Sequence, residues 1–182
     1  MNQSMISERA KLGAGVKIGR YCIIEDDVSL GDNVIVEDFV LIQAGASVGS
    51  GTKVGTYCKI GKEARIGNDC SFTAYCEIRD RCVLGNKVSM GSRCTLSANT
   101  IVGNGVIMKY GFVVTDTPVL ARNNEKVVGG LGDNSRYGAN VTIMPGVVVG
   151  ANSEIGACSQ VRTNVPDNQV WYGSPARFYR DA

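Results

Sequence analysis

A single all-β domain, wound as a parallel β-helix of six-residue repeats, is predicted by three features of this 182-residue sequence. The first is a period. Nineteen consecutive positions, each six residues after the last, carry a large apolar side chain, from Ile6, Leu12 and Ile18 through Ile60, Ile66 and Phe72 to Met108 and Val114. The series resumes at Tyr137, Ile143, Val149, Ile155 and Val161. A period of six suits neither an amphipathic helix nor an alternating strand, and marks a solenoid in which each hexad is one short strand plus a corner. Three hexads close one triangular coil, so residues eighteen apart stack at the strand spacing of about 4.8 Å. About eight coils are expected, with the whole of 1–182 as one domain.

The second feature is the slot two residues before each anchor. It holds Val16, Val28, Val34, Val40, Ala46, Thr52 or Ala64, and also Cys22, Cys58, Cys70, Cys76, Cys82 and Cys94. Residues two apart on a strand face the same side, so this slot points inward and takes only small or β-branched groups. Six of the seven cysteines are therefore read as small buried hydrophobes. With no Cys-x-x-Cys and no histidine, a metal site has almost no ligands, and none is expected.

The third feature is a glycine after every third anchor: Gly13, Gly31, Gly49, Gly67, Gly85 and Gly103, followed by Ala14, Asp32, Ser50, Asn68, Asn86 and Asn104. Glycine accepts positive φ at low cost, so a sharp turn is expected at this corner. Glycine-rich stretches such as Gly49-Ser50-Gly51 lack the Gly-Lys-Ser/Thr of a phosphate loop and are read as corners.

Composition narrows the function. Hydrophobic residues make up 44 % and charged residues 20 %, as in a globular protein. Formal net charge is +2 without a basic stripe, which argues against nucleic acid as a partner. Met1 to Arg9 lacks the pattern of a signal peptide and no run approaches membrane-spanning length, so no membrane association and a cytoplasmic location are expected.

One face departs from the polar pattern of the other two. Tyr21, Phe39, Tyr57 and Tyr75 stand eighteen apart, flanked by Ile23 and Leu41, whereas the other columns present Lys11, Ser29, Ser47 and Arg65, or Lys17, Lys53, Ser71 and Ser89. The stripe is read as a subunit interface; the alternative is that the rings lie flat on their own corner. Higher on the same face stand Lys59, Glu77, Arg93 and Thr95. The period fails over residues 115–136, read as one long extruded loop with Asp116, Arg122, Asn123, Asn124, Glu125, Lys126 and Gly129-Gly130 suited to a polar ligand. Residues 165–182, carrying Trp171, Tyr172, Phe178 and Tyr179, are expected to cap the last coil.

With these motifs in place, the sequence resembles the left-handed β-helix acyltransferases of the hexapeptide-repeat family. The resemblance rests on the repeat and on four terminal segments: Gly138-Ala139-Asn140-Val141-Thr142-Ile143, Gly146-Val147-Val148-Val149-Gly150, Ala157-Cys158-Ser159-Gln160-Val161 and Gly173-Ser174-Pro175-Ala176-Arg177. Gly111 to Pro118 is similar to the start of the acceptor loop in the nucleotide-sugar N-acyltransferase branch. The resemblance implies left-handed coils and a homotrimer with sites between subunits. It also implies acetyl-coenzyme A as co-substrate along the last coils. There Gly138 and Ala139 would offer backbone contacts, Ala157 would leave room for the pantetheine arm, and Arg162 or Arg177 would meet phosphates.

The chain departs from the family at the general base. Most members use histidine, whereas the matching places here hold Thr56, Ala74, Ser92 or Tyr110. An uncharged sugar amine is already a nucleophile, but an alcohol needs deprotonation during attack, so the absence of histidine favours N- over O-acylation. Asp116 is the expected positioning group for the amine. Two alternatives stay open: an O-acyltransferase whose base is Asp116 or Glu77, and a non-catalytic trimeric scaffold or binding protein.

Overall fold

The computed structural model describes residues 3–119 and 125–182. Every strand of the solenoid is two residues long, and strands recur every six residues around three parallel sheets. Sheet A runs from Met5–Ile6 to Gln160–Val161, sheet B from Lys11–Leu12 to Val148–Val149, and sheet C from Lys17–Ile18 to Glu154–Ile155. Register is uniform: Ile60 pairs with Ile42 below and Ile78 above, at eighteen-residue steps. Sheet A has nine strands, so the helix has about nine coils rather than eight. Among the described residues no helix is long and apolar enough to cross a membrane.

The anchors fill the interior as the period requires. Ile60 is 0 % and Ile78 1 % exposed, and the six slot cysteines are buried with their thiols free. These thiols also do polar work. Cys58 Sγ donates to Thr73 O at 2.9 Å and Cys94 Sγ to Lys109 O at 3.1 Å, and the Thr52 hydroxyl reaches Gly67 O at 3.0 Å with the same offset. A slot side chain that donates satisfies a corner carbonyl otherwise shut off from water. In the first coil the anchors Ile6 and Leu12 are exposed, because no coil lies beneath them.

Three expectations are corrected. Leu131 stands six residues before Tyr137 and, with Gly130, forms a strand of sheet B paired to Ile101–Val102. The period thus returns before residue 136, and residues 115–129 separate the strands Val113–Val114 and Gly130–Leu131. Ile101 and Gly130 are 29 apart where neighbouring coils are eighteen apart, so the loop inserts eleven residues. The side-chain-free Gly130 on the outer face hid this strand from the apolar pattern.

Positive φ, secondly, falls on the third residue before most anchors, as at Asn33 (φ 57°) and Tyr57 (φ 59°), and not on the glycines after the sheet B anchors. Those glycines answer to crowding: a Cβ on Gly67 would lie 2.5 Å from Gly85 O of the next coil. The Asp, Ser or Asn that follows accepts an N–H from the coil below, as Asn86 Oδ1 does from Asn68 N at 2.8 Å.

Thirdly, sheet B is polar outside only up to Arg65; above it Val83, Ile101 and Val148 are exposed.

The aromatic column forms a ladder. Successive rings from Tyr21 to Tyr75 stack at 5.1, 4.7 and 4.9 Å with planes within 8° of parallel. They lie on one another rather than flat on the corner, and each remains about half exposed. At the far end, strands Gln169–Gly173 and Ala176–Asp181 form an antiparallel hairpin that extends sheet C. Ala176 is buried and Trp171 packs against the core beside the last coils.

Candidate functional site

Two corners hold the candidate residues. The corner from sheet A to sheet B carries Arg79, Ser97, Thr115, Met144 and Arg162, each directly after a sheet A strand. The loop leaves here. Its root closes on itself: Val127 N donates to Asp116 O at 2.9 Å, and Lys126 Nζ lies 3.2 Å and 3.0 Å from the two Asp116 carboxylate oxygens. The Thr117 hydroxyl donates to Asp116 Oδ1 at 2.8 Å. Gly129 then passes so close to Val147 that no side chain fits there. Asp116 is 8 % exposed. Burial works to raise its carboxyl, but the hydrogen bonds from Thr117 and Lys126 and the charges of Lys126 and Arg79 outweigh it. The group is held below the usual carboxylate range and is a poor proton acceptor at neutral pH.

Glu77 is not beside Asp116. It projects from the outer face of sheet A two coils below, half-buried, with Lys59 Nζ 3.4 Å away. Of the other loop residues named from sequence, Arg122, Asn123 and Asn124 lie outside the described residues.

The corner from sheet C to sheet A gathers most of the expected coenzyme A residues. Gly138 and Ala139 follow one sheet C strand, and Ala157 sits in the equivalent turn one coil on. The backbones are tightly stacked: a Cβ on Gly138 would lie 2.4 Å from Ala157 N, and Cys158 N donates to Ala139 O at 2.8 Å. Tyr172 covers the next level, and Arg177 is its cross-strand partner in the hairpin. Arg162 stands apart at the A–B corner, where its guanidinium is bonded to Gln160 Oε1 at 2.6 Å. The geometry therefore joins Gly138, Ala139, Ala157 and Arg177, and separates Arg162 from them.

Beside this corner, on the outer face of sheet C, lies a cavity of ≈ 400 Å³ lined by Ile107, Lys109, Arg136, Gly138, Glu154 and Val170 among others. It exists because Gly138 and Gly156 place no side chain between the rows. Its apolar walls carry two cations, of which Arg136 pairs with Glu154 at 3.6 Å and Lys109 makes no ion pair among the described residues. Sequence reasoning missed this wall. A signal was present in the column after the sheet C anchors, Gly19, Glu37, Gly55, Thr73, Gly91, Lys109, Gly138 and Gly156, where only Glu37 and Lys109 are charged.

The chain matches the family model described as bacterial transferase hexapeptide (six repeats) over residues 9–44 and 130–163. Together with the nine-coil β-helix, this match shows hexapeptide repeats like those of that family. It is 43 % identical over 60 residues to a galactoside O-acetyltransferase of Lactococcus lactis, covering 33 % of this chain and 28 % of that protein. It is 45 % identical over 51 residues to a galactoside O-acetyltransferase of Escherichia coli, covering 28 % and 25 %. The match thus spans under a third of the length of these curated relatives. Among solved structures, a UDP-N-acetylglucosamine acyltransferase superposes with a TM-score of 0.68 at 20 % identity, over 100 % of this chain and 73 % of that one. An N-acyltransferase from Bacillus cereus, in complex with dTDP-4-amino-4,6-dideoxyglucose and coenzyme A, gives 0.65 at 17 %, over 76 % and 83 %. At these identities the structures establish a shared fold.

Proposed function

We propose that the chain transfers an acyl group, acetyl in the simplest case, from acyl-coenzyme A to the amine of an amino sugar, carried on a nucleotide, without a protein base. The observation that carries this reading is the state of Asp116. Asp116, the carboxylate expected from the sequence to meet the amine, is bonded to Lys126 and Thr117 and held ionised, so its proton affinity is spent. A neutral amine needs no base to attack a thioester. The tetrahedral intermediate collapses with expulsion of the coenzyme A thiolate, and that thiolate can take the proton the nitrogen loses. The protein then contributes positioning and dipoles aimed at the developing oxyanion.

Acyl-coenzyme A fits the C–A corner, where Gly138, Ala139 and Ala157 expose main chain beside the apolar cavity, and where Lys109 and Arg177 supply charge for phosphates. The cofactor and amino sugar held by the Bacillus cereus protein are the kind of pair this reading requires. Homotrimers with sites between subunits complete it, packed through the ring ladder and the neighbouring Met5, Ile23 and Leu41. The galactoside O-acetyltransferase relatives favour a second reading, O-acetylation of a sugar. Release of free thiol from acetyl-coenzyme A, measured against a panel of amino-sugar nucleotides and galactosides, tests both. Release with amines supports the proposal, release with galactosides alone supports the second reading, and release with neither leaves a binding scaffold.

A further inference from the structure

Below the apolar cavity, on the same edge, lies a second recess of ≈ 250 Å³ with a different character. Its polar lining is Glu37, Lys53, Ser71, Thr73 and Ser92, from four successive coils, with Gly55, Phe72 and Ala74 between them. Thr73 Oγ1 and Ser92 Oγ are 3.0 Å apart, and Thr73 Oγ1 also donates to Met90 O at 3.3 Å. Glu37 is fixed from both sides: Lys53 Nζ lies 2.7 Å from Oε1, while Thr56 N and Oγ1 donate to Oε2 at 3.1 and 3.0 Å. The Ser71 hydroxyl has no hydrogen-bond partner among the described residues.

A hydroxyl side chain both donates and accepts, and an ionised carboxylate has about four acceptor positions, of which Glu37 uses three. Such a wall matches a ring of vicinal hydroxyls, each of which must also donate and accept. It offers little to a planar base: the one aromatic residue of the wall, Phe72, is buried in the core at 1 % exposure. The recess lies three coils from Gly138, about 14 Å at the usual strand spacing, a distance an extended pantetheine arm spans.

We infer that this recess is the subsite for the pyranose ring of the acceptor, held by Ser71, Thr73, Ser92 and Glu37, with Lys53 fixing Glu37. The inference rests on the acyl-transfer reading above. It makes Thr73 and Ser92 positioning residues, since each meets the ring without touching the reacting thioester.

The test is titration of the full chain with methyl 2-amino-2-deoxy-β-D-glucopyranoside, free of nucleotide and without acyl donor, followed by saturation-transfer NMR. The double variant T73V/S92A removes two hydroxyls at nearly constant shape, and S71W fills the recess from an exposed position. Ser89→Ala, on the same sheet but outside the recess, is the control. Binding by wild type and control, a tenfold or greater rise in Kd for the double variant and loss in S71W are expected. Should the double variant fail to fold, S71W decides alone. Absence of binding to the wild type, or equal binding by all four chains, overturns the subsite. Failure of the acyl-transfer reading looks different: the sugar binds and the variants weaken it, yet no thiol is released from acetyl-coenzyme A.

Discussion

Lys126 Nζ lies 3.0 Å from Asp116 Oδ2, and the two residues clasp the root of the inserted loop where it leaves the helix. The contact joins an ammonium that is half exposed to a carboxylate that is nearly buried, so its weight falls unevenly on the partners. Replacing Lys126 by Met should cost more than the roughly 0.2–1 kcal/mol of an exposed pair, because it leaves the nearly buried Asp116 carboxylate with the Thr117 hydroxyl as its remaining side-chain partner. Asp116→Ala should cost less, because the half-exposed Lys126 is left to water and only the Thr117 hydroxyl loses its acceptor. Chemical denaturation of the two variants measures the difference, and equal losses would mean that the clasp does not order the loop root.

Acid should weaken this fold in a defined window. Lys53 and Thr56 hold Glu37 below the usual carboxylate range by hydrogen bonding, and Asp116 is lowered on balance as well. The unfolded chain therefore takes up these protons first. The stabilisation is present in full above the ordinary carboxylate pKa values of about 4 and is lost as pH falls through the lower folded values. Asp116→Asn removes one of the linked protons, so its unfolding midpoint should change less steeply with pH below about 4 than that of the wild type. Identical slopes would contradict the assignment.

Thiol chemistry should report burial one cysteine at a time. Only Cys158 is exposed; the other six are buried, and burial pushes the Cys82 thiol up to about 11. A maleimide at neutral pH should label one thiol in the native chain and seven after unfolding, with mass spectrometry as the readout. Native labelling of Cys58, Cys76 or Cys94 would mean that the coils open.

The route from sequence to structure was uneven, for physical reasons. Interior residues were legible because burial every sixth residue leaves no choice of type, so Ile60, Cys76 and Leu96 could be placed from spacing alone. The corners were not. Asn68 and Asn86 look like residues chosen for positive φ, yet their side chains instead accept main-chain N–H groups from the coil below. The left-handed positions fall on residues as unlike as Tyr57, Glu63 and Arg81, which no propensity scale would select. Residues of the site were legible one by one but not as neighbours. Arg162 and Arg177 look equivalent in the sequence, and the triangular cross-section puts them at different corners. Lys109 and Glu37 drew no notice because a single charge in a glycine column is a weak signal until a cavity opens beside it.

Steric limits at the loop exit give a further test. Gly129 faces Val147 O with no space for a Cβ, so Gly129→Ala should destabilise the chain by about 1–3 kcal/mol, the range for overpacking. Gly130→Ala, with its nearest contact at 3.5 Å, should be far milder. Equal effects in thermal unfolding would mean that the loop leaves the helix by another path.

The interface can be tested by charge. Replacing Phe39 and Tyr57 together by Glu breaks the ring stack and places two carboxylates in the expected contact, where an unpartnered charge costs several kcal/mol. Light scattering should show trimers for the wild type and monomers or aggregates for the variant. A variant that stays trimeric moves the interface elsewhere.

The most direct test of base-free acyl transfer is turnover with paired acceptors. Thiol release from acetyl-coenzyme A should be followed with dTDP-4-amino-4,6-dideoxyglucose and with the same sugar nucleotide carrying a 4-hydroxyl, in the wild type and in Asp116→Asn. Release with the amine alone is expected, with the variant within about tenfold of the wild type. That is well short of the 10²–10⁴-fold loss typical of removing a general base. Release with the hydroxyl sugar, or collapse of turnover in Asp116→Asn with acceptor affinity intact, would contradict the mechanism.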